Sequence, residues 1–189
     1  MIPSMYRIAV TNRHLCEGDF LSRIQKLAQG TEYDAILLRE KDLQRKEYKA
    51  LAEEVLAVCE KYEKKCILHT FWQTAEELYH PCLHLPLSVL EEMPSSKRGK
   101  FLELGTSIHS LKQLRQAEQY GVSYVTAGHI FATDCKKDLP PRGLGFLREI
   151  CTATKLPVYG IGGISEKNEE QVMAQGAAGV CVMSGCMRT

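Results

Sequence analysis

Short apolar runs and amphipathic stretches alternate along this chain from one end to the other, and that alternation restricts the fold more than any other feature. YRIAVTN (6–12) is a short apolar run. DFLSRIQKLAQG (19–30) follows it, with Phe20, Leu21, Ile24, Leu27 and Ala28 at helical spacing between a capping Asp19 and a terminating Gly30. YDAILLRE then reads as a strand, and EYKALAEEVLAVCEKYEKK as an amphipathic helix whose last lysines suit its carboxyl end. The pattern continues through strand CILHT, short helix TAEELYH, strand CLHLP, a turn or two of helix in LSVLEEM, and strand KFLELGTSI. Helix SLKQLRQAEQYG, strand YVTAGHI, helix LGFLREICTAT, strand PVYGIGG, helix SEKNEEQVMAQG and strand GVCVMSG complete it.

Eight strands separated by seven helical segments imply a parallel sheet, and eight favour a closed (β/α)8 TIM barrel over an open sheet. The sequence stops at Thr189, just past the eighth strand, so the barrel is expected to be compact with its last helix short or absent. An open doubly wound sheet, which needs no eighth helix to complete a ring, is the alternative. At 189 residues and 44% apolar composition the whole chain, 1–189, is expected to form one domain.

Lysine plus arginine total 24 against 23 aspartates and glutamates, a formal charge of +1. Such a balance gives no electrostatic reason to expect nucleic acid or an anionic membrane as partner, whereas small anions remain compatible. The start, MIPSMYRIAVTN, lacks the apolar core of a secretory signal, and no window reaches membrane-spanning length, so a cytoplasmic protein is expected.

The eight cysteines are never spaced as C-x-x-C and mostly interrupt apolar runs, which fits reduced, buried thiols in a reducing compartment. HPCLH places His80, Cys82 and His84 at period two. On a strand these would share a face, near Cys66 and His69, and could ligate zinc, but the spacing matches no strong zinc pattern. No metal is expected.

In a barrel the reactive face lies at the carboxyl ends of the strands, and the chemically unusual stretches fall there. In LREKD, Arg39 and Lys41 sit two apart and point to one side, away from Leu38 and Glu40, as an anion clamp. GIGGI (160–164) runs toward an expected helix with Ser165 near its start, and MSG (183–185) ends the eighth strand. Glycines and a helix amino terminus after strands seven and eight suit a phosphate, with Gly162, Gly163, Met183 and Ser184 as the candidate contacts. His129, in TAGHI at the end of the sixth strand, is the candidate acid–base group. Ser107, in GTSIHS, offers a hydroxyl hydrogen bond to a ligand.

Together LREKD, GTSIHS, GHIFATDCKK, GIGGI and VMSG resemble, in order and spacing, the thiamine phosphate synthase superfamily over nearly the whole chain. That superfamily contains the synthase proper, a magnesium-dependent transferase, and the TenI proteins, which include thiazole tautomerases. The synthase carries an Asn-Asp pair after its third strand and another Asp after its fourth, for magnesium and pyrophosphate. Here those places read His69-Thr70 and HLPLS, without carboxylates, and magnesium needs hard oxygen ligands. Where the synthase has proline after the glycine of the sixth strand, this chain has His129, and its later Thr-x-Thr-Lys reads Thr133-Asp134-Cys135-Lys136. GHIFATDCK is similar to the TenI form.

The resemblance therefore implies a cofactor-free, metal-free tautomerisation in thiamine biosynthesis, converting a carboxylated thiazole phosphate to its aromatic tautomer. His129 would move the protons, Arg39 and Lys41 or backbone N–H groups would hold the carboxylate, and Gly162, Gly163, Met183 and Ser184 the phosphate. It also implies a homodimer. Arg39, Lys41, Ser107 and Lys136 persist from the synthase, which keeps the transferase as an alternative. A non-catalytic thiazole phosphate-binding regulator is a third.

Overall fold

A computed structural model describes residues 5–133 and 139–188. Eight parallel strands close on themselves in sequence order: β1 Tyr6–Val10, β2 Ala35–Leu38, β3 Lys65–His69, β4 Cys82–Pro86, β5 Glu103–Ile108, β6 Tyr124–Gly128, β7 Val158–Ile161 and β8 Gly179–Val182. β1 pairs with β8 from Tyr6 opposite Gly179 to Ala9 opposite Val182, which seals the ring. Helices connect the strands, so the fold is the expected (β/α)8 TIM barrel and not the open sheet.

The helices form because each carries one apolar stripe that the barrel's outer face covers. α1 (Phe20–Gln29) buries Ile24, Leu27 and Ala28 and is capped by Asp19, whose carboxylate accepts the Ser22 N–H at 2.7 Å. α2 (Arg45–Lys61) buries Tyr48, Ala52, Val55 and Cys59 and opens with a capping box between Gln44 and Glu47. α6 (Leu111–Gln119) and α7 (Gly143–Ala153) bury Leu114 and Ala117, and Leu147 and Ile150. Short helices α3 (Trp72–Glu77), α4 (Leu87–Glu92) and α5 (Ser95–Arg98) cover the middle of the ring. Among the described residues no helix is long and apolar enough to cross a membrane.

Inside the ring a separate apolar cluster forms from Ile8, Val10, Ala35, Leu37, Ile67 and Cys181, with Tyr6, Tyr159, Ile161 and Met183 against it. These are the alternate strand residues that point inward.

One helix differs from the sequence reading. The one expected from Ser165 is α8, Glu169–Met173, because Asn168 folds the preceding residues into a turn. Its side chain accepts the Ser165 N–H at 2.9 Å and donates to the Gly163 carbonyl at 2.9 Å. The glycine stretch therefore enters a turn and not a helix amino terminus, and the Ser165 N–H is already bonded. The helix after β8 is the four-residue α9, Ser184–Met187, in keeping with the short or absent last helix expected.

Candidate active site

The carboxyl ends of the strands surround a cavity of about 530 Å3, within the range of small-molecule sites. Its wall includes Arg39, Lys41, Ser107, His129, Gly162, Gly163, Met183 and Ser184, so all eight residues singled out in the sequence line one space. Cys135 and Lys136 lie outside the described residues.

The cation pair is set by its neighbour. Glu40 is 1% exposed, and its carboxylate accepts the Thr11 hydroxyl at 2.7 Å, the Arg13 N–H at 3.0 and 3.1 Å, and the Arg13 guanidinium at 3.1 Å. Thr11 in turn accepts the Arg39 N–H at 2.9 Å. With Glu40 anchored toward β1, alternation directs its neighbours Arg39 and Lys41 to the cavity. Neither makes a salt bridge among the described residues. Arg13 continues outward to Asp42, whose carboxyl its guanidinium and then His14 hold well below the usual range. On the other side of β2, the buried Tyr48 hydroxyl of α2 donates to the Leu38 carbonyl at 2.7 Å and accepts the His69 N–H at 2.8 Å, fixing the ends of β2 and β3 together.

His129 follows β6 and is 6% exposed. Its Nε2 donates to the Leu139 carbonyl across 3.3 Å, a long contact that engages Nε2 and not Nδ1. The glycine loop holds it in place: Gly162 has φ +101°, and a Cβ there would stand 2.3 Å from the His129 Cβ. Glycine at 162 thus serves the packing of the β6 and β7 ends as well as the space for a ligand. His109, another wall residue, donates from Nδ1 to the Gly128 carbonyl at 2.6 Å, tying β5 to the residue before His129.

Beneath the wall lies a polar column that the sequence reading missed. His69 and His84 stack with ring centroids 5.6 Å apart and planes 13° from parallel. His84 Nε2 is 2.9 Å from Ser107 Oγ and its Nδ1 is 3.1 Å from the Tyr124 hydroxyl. Burial and then the Arg39 charge bring His84 down to about 3, and burial, His84, Arg39 and Lys41 hold His69 well below the ordinary imidazole range. Both rings are neutral near pH 7. A signal existed in Gly105: a Cβ there would lie 2.1 Å from the Tyr124 Cζ, so only glycine lets that ring cross β5 to reach His84.

The possible zinc set comes apart. His80 precedes β4 and bonds the Cys66 carbonyl at 2.9 Å, while His84 points inward to Ser107 and Tyr124. Among the described residues no three His, Cys, Asp or Glu side chains are grouped to hold a metal. The described wall also contains no carboxylate, only hydroxyls, imidazoles, an amide, the Cys181 thiol and two cations besides apolar groups and backbone. Such a donor set does not fit magnesium, which relies on carboxylate oxygens and tolerates adjacent cations poorly.

Residues 7–186 match the family model described as TMP-TENI, thiamine monophosphate synthase. A chain of Aquifex aeolicus, provisionally named as a second thiamine-phosphate synthase, is 30% identical over 184 residues that cover 97% of each chain. The thiamine-phosphate synthase of Clostridium acetobutylicum is 31% identical over 183 residues, covering 94% of this chain and 85% of that one. Among solved structures, thiamine phosphate pyrophosphorylase from Pyrococcus furiosus superposes with a TM-score of 0.83 at 25% identity, over 99% of this chain and 89% of the other.

Proposed function

The chain belongs to the thiamine monophosphate synthase (TMP-TENI) family, and from that membership we propose that it is a thiazole tautomerase of thiamine biosynthesis. It would isomerise a carboxylated thiazole phosphate with an exocyclic double bond to the aromatic tautomer. The observation that carries this reading is the make-up of the cavity: a histidine, two cations without salt bridges among the described residues, and no described carboxylate. Proton transfer beside an anion needs those groups, whereas a magnesium pyrophosphate substrate needs carboxylates, which the described wall does not supply.

In this mechanism His129 Nδ1 takes the proton from the ring carbon that bears the carboxylate. The C–H electron pair enters the ring and spreads into the carboxylate, where Arg39 and Lys41 offset the growing negative charge. As the exocyclic double bond moves into the ring, its outer carbon gains electron density, and the His129 imidazolium returns a proton there. No atom is gained or lost, and aromaticity drives the step. Gly162, Gly163, Met183 and Ser184 form the wall for the phosphate, chiefly through space for backbone contact, since the Ser165 N–H is taken by Asn168. The protein acts as a homodimer in this reading.

The test is direct. The purified protein, treated with a chelator, should convert the carboxylated thiazole phosphate to its aromatic form, followed by NMR of the exocyclic carbon's protons. No conversion by folded protein would overturn the proposal. The names of the relatives favour a second reading, thiamine-phosphate synthase. Magnesium-dependent release of pyrophosphate during product formation would establish that activity instead.

A further inference from the structure

A chain of buried hydrogen bonds leads from the middle of the barrel to the cavity. Tyr124, His84 and Ser107 sit on β6, β4 and β5, with His84 opposite Gly105 and Gly105 opposite Tyr124 in register. The Tyr124 and His84 residues are 5% and 1% exposed. Burial keeps the Tyr124 hydroxyl protonated, by raising it well above the ordinary phenol range. Among the described residues that hydroxyl bonds only the His84 Nδ1, at 3.1 Å. A buried O–H that donates to nothing is costly, so it donates to Nδ1.

Donation into Nδ1 decides the rest. The neutral ring must then carry its proton on Nε2, which donates to Ser107 Oγ at 2.9 Å. The buried Thr126 hydroxyl also donates to Ser107 Oγ, at 2.9 Å. Two donors fill both lone pairs of that oxygen. The Ser107 hydroxyl retains only its own proton to offer, and Ser107 lines the cavity.

We propose that Tyr124, His84 and Thr126 form a one-way hydrogen-bond relay that makes Ser107 an obligate donor toward an anionic oxygen of the ligand, with His84 as its positioning residue. The relay rests on the reading above only in that the cavity takes a carboxylate or a phosphate. It selects against a ligand that presents a donor at this point, because such a group would meet the Ser107 proton head-on.

The tautomer is observable without turnover. A long-range 1H–15N spectrum of the unliganded protein should show His84 protonated at Nε2 and unprotonated at Nδ1, and Tyr124→Phe should give a mixture. An Nδ1–H ring in the wild type would overturn the relay. Affinity supplies the second arm, with inorganic phosphate and thiazole-2-carboxylate as separate probes. Ser107→Ala should weaken one of them by about tenfold, as for a lost hydrogen bond to a charged group. Tyr124→Phe, checked for an unchanged fold by its melting profile, should weaken the same probe, and the double variant should be no weaker than Ser107→Ala alone. A Tyr124→Phe protein that binds both probes as the wild type does would overturn the relay. Failure to turn over the thiazole substrate would leave both readouts standing and count against the tautomerase reading alone.

Discussion

Thr11 and Glu40 meet hydroxyl to carboxylate across 2.7 Å, both buried, directly behind the two cations of the cavity. The contact joins the ends of β1 and β2, and the same hydroxyl accepts the Arg39 N–H. Glu40 therefore connects the stability of the rim with the aim of Arg39 and Lys41. Glu40→Ala should cost about 2–4 kcal/mol by urea unfolding, since it leaves the Arg13 and Thr11 groups without their acceptor. Asp42→Asn, at the exposed end of the same network, should cost much less, because solvent screens that pair. Equal costs would place the anchor at Asp42.

Acid should destabilise the fold through the stacked histidines. In the folded protein His84 stays neutral down to about 3, whereas in the unfolded chain it takes a proton near pH 6.5. Its folded value is depressed, so its contribution is complete above pH 6.5 and declines as pH falls from there toward 3. At pH 5 the loss from His84 is about 2 kcal/mol, and His69, shifted the same way by burial, adds to it. Urea unfolding at pH 7 and pH 5 measures the difference, and identical stabilities would show that the rings are solvated.

Two thiols should resist alkylation. Burial pushes Cys181 and Cys186 up to about 12, so at pH 8 their thiolate fraction is about a thousandfold or more below that of an ordinary cysteine. Peptide mapping after brief iodoacetamide treatment of the native protein should find both unmodified, and both labelled in urea. Rapid native labelling of Cys181, which lines the cavity wall, would mean that the barrel floor opens to solvent.

The barrel and its rim were legible because both depend on local pattern. Apolar alternation marks strands, and strand ends in a barrel face one cavity, so Arg39, Lys41, Ser107 and His129 could be brought together before any coordinates. The column beneath them was not legible. His84, Tyr124 and Thr126 lie on different strands, and only the register of β4, β5 and β6 makes them neighbours. HPCLH left a zinc set conceivable though not expected, because period-two spacing says which face a side chain takes and not which partner waits there. Ser165 was misread for a similar reason. Helical spacing in SEKNEEQVMAQG does not reveal that Asn168 closes a turn on Ser165 and Gly163.

Gly162→Ala tests the contact between the glycine loop and the histidine. The positive φ disfavours any side chain, and the new methyl would stand 2.3 Å from the His129 Cβ. The loop must move, at a cost of about 1–3 kcal/mol, and His129 must move with it. Turnover should fall further than affinity for inorganic phosphate does. If phosphate affinity alone falls, the glycine serves ligand approach and not the placement of the histidine.

His129→Asn carries the most weight for mechanism. Asparagine keeps a similar volume and can still donate to the Leu139 carbonyl that His129 Nε2 meets at 3.3 Å, so the rim should hold its shape. It cannot take a proton from carbon. If His129 both removes the ring proton and supplies the exocyclic one, turnover should drop by roughly 10²–10⁴-fold while ligand affinity changes little, the scale of general acid–base catalysis. A single base also predicts an isotope pattern. In deuterated water the wild-type product should carry deuterium at the exocyclic carbon only to the extent that the imidazolium exchanges with solvent before it returns the proton. Full incorporation would require exchange faster than return, or a separate donor. Retention of most activity in folded His129→Asn at saturating substrate would remove the histidine from the proton path.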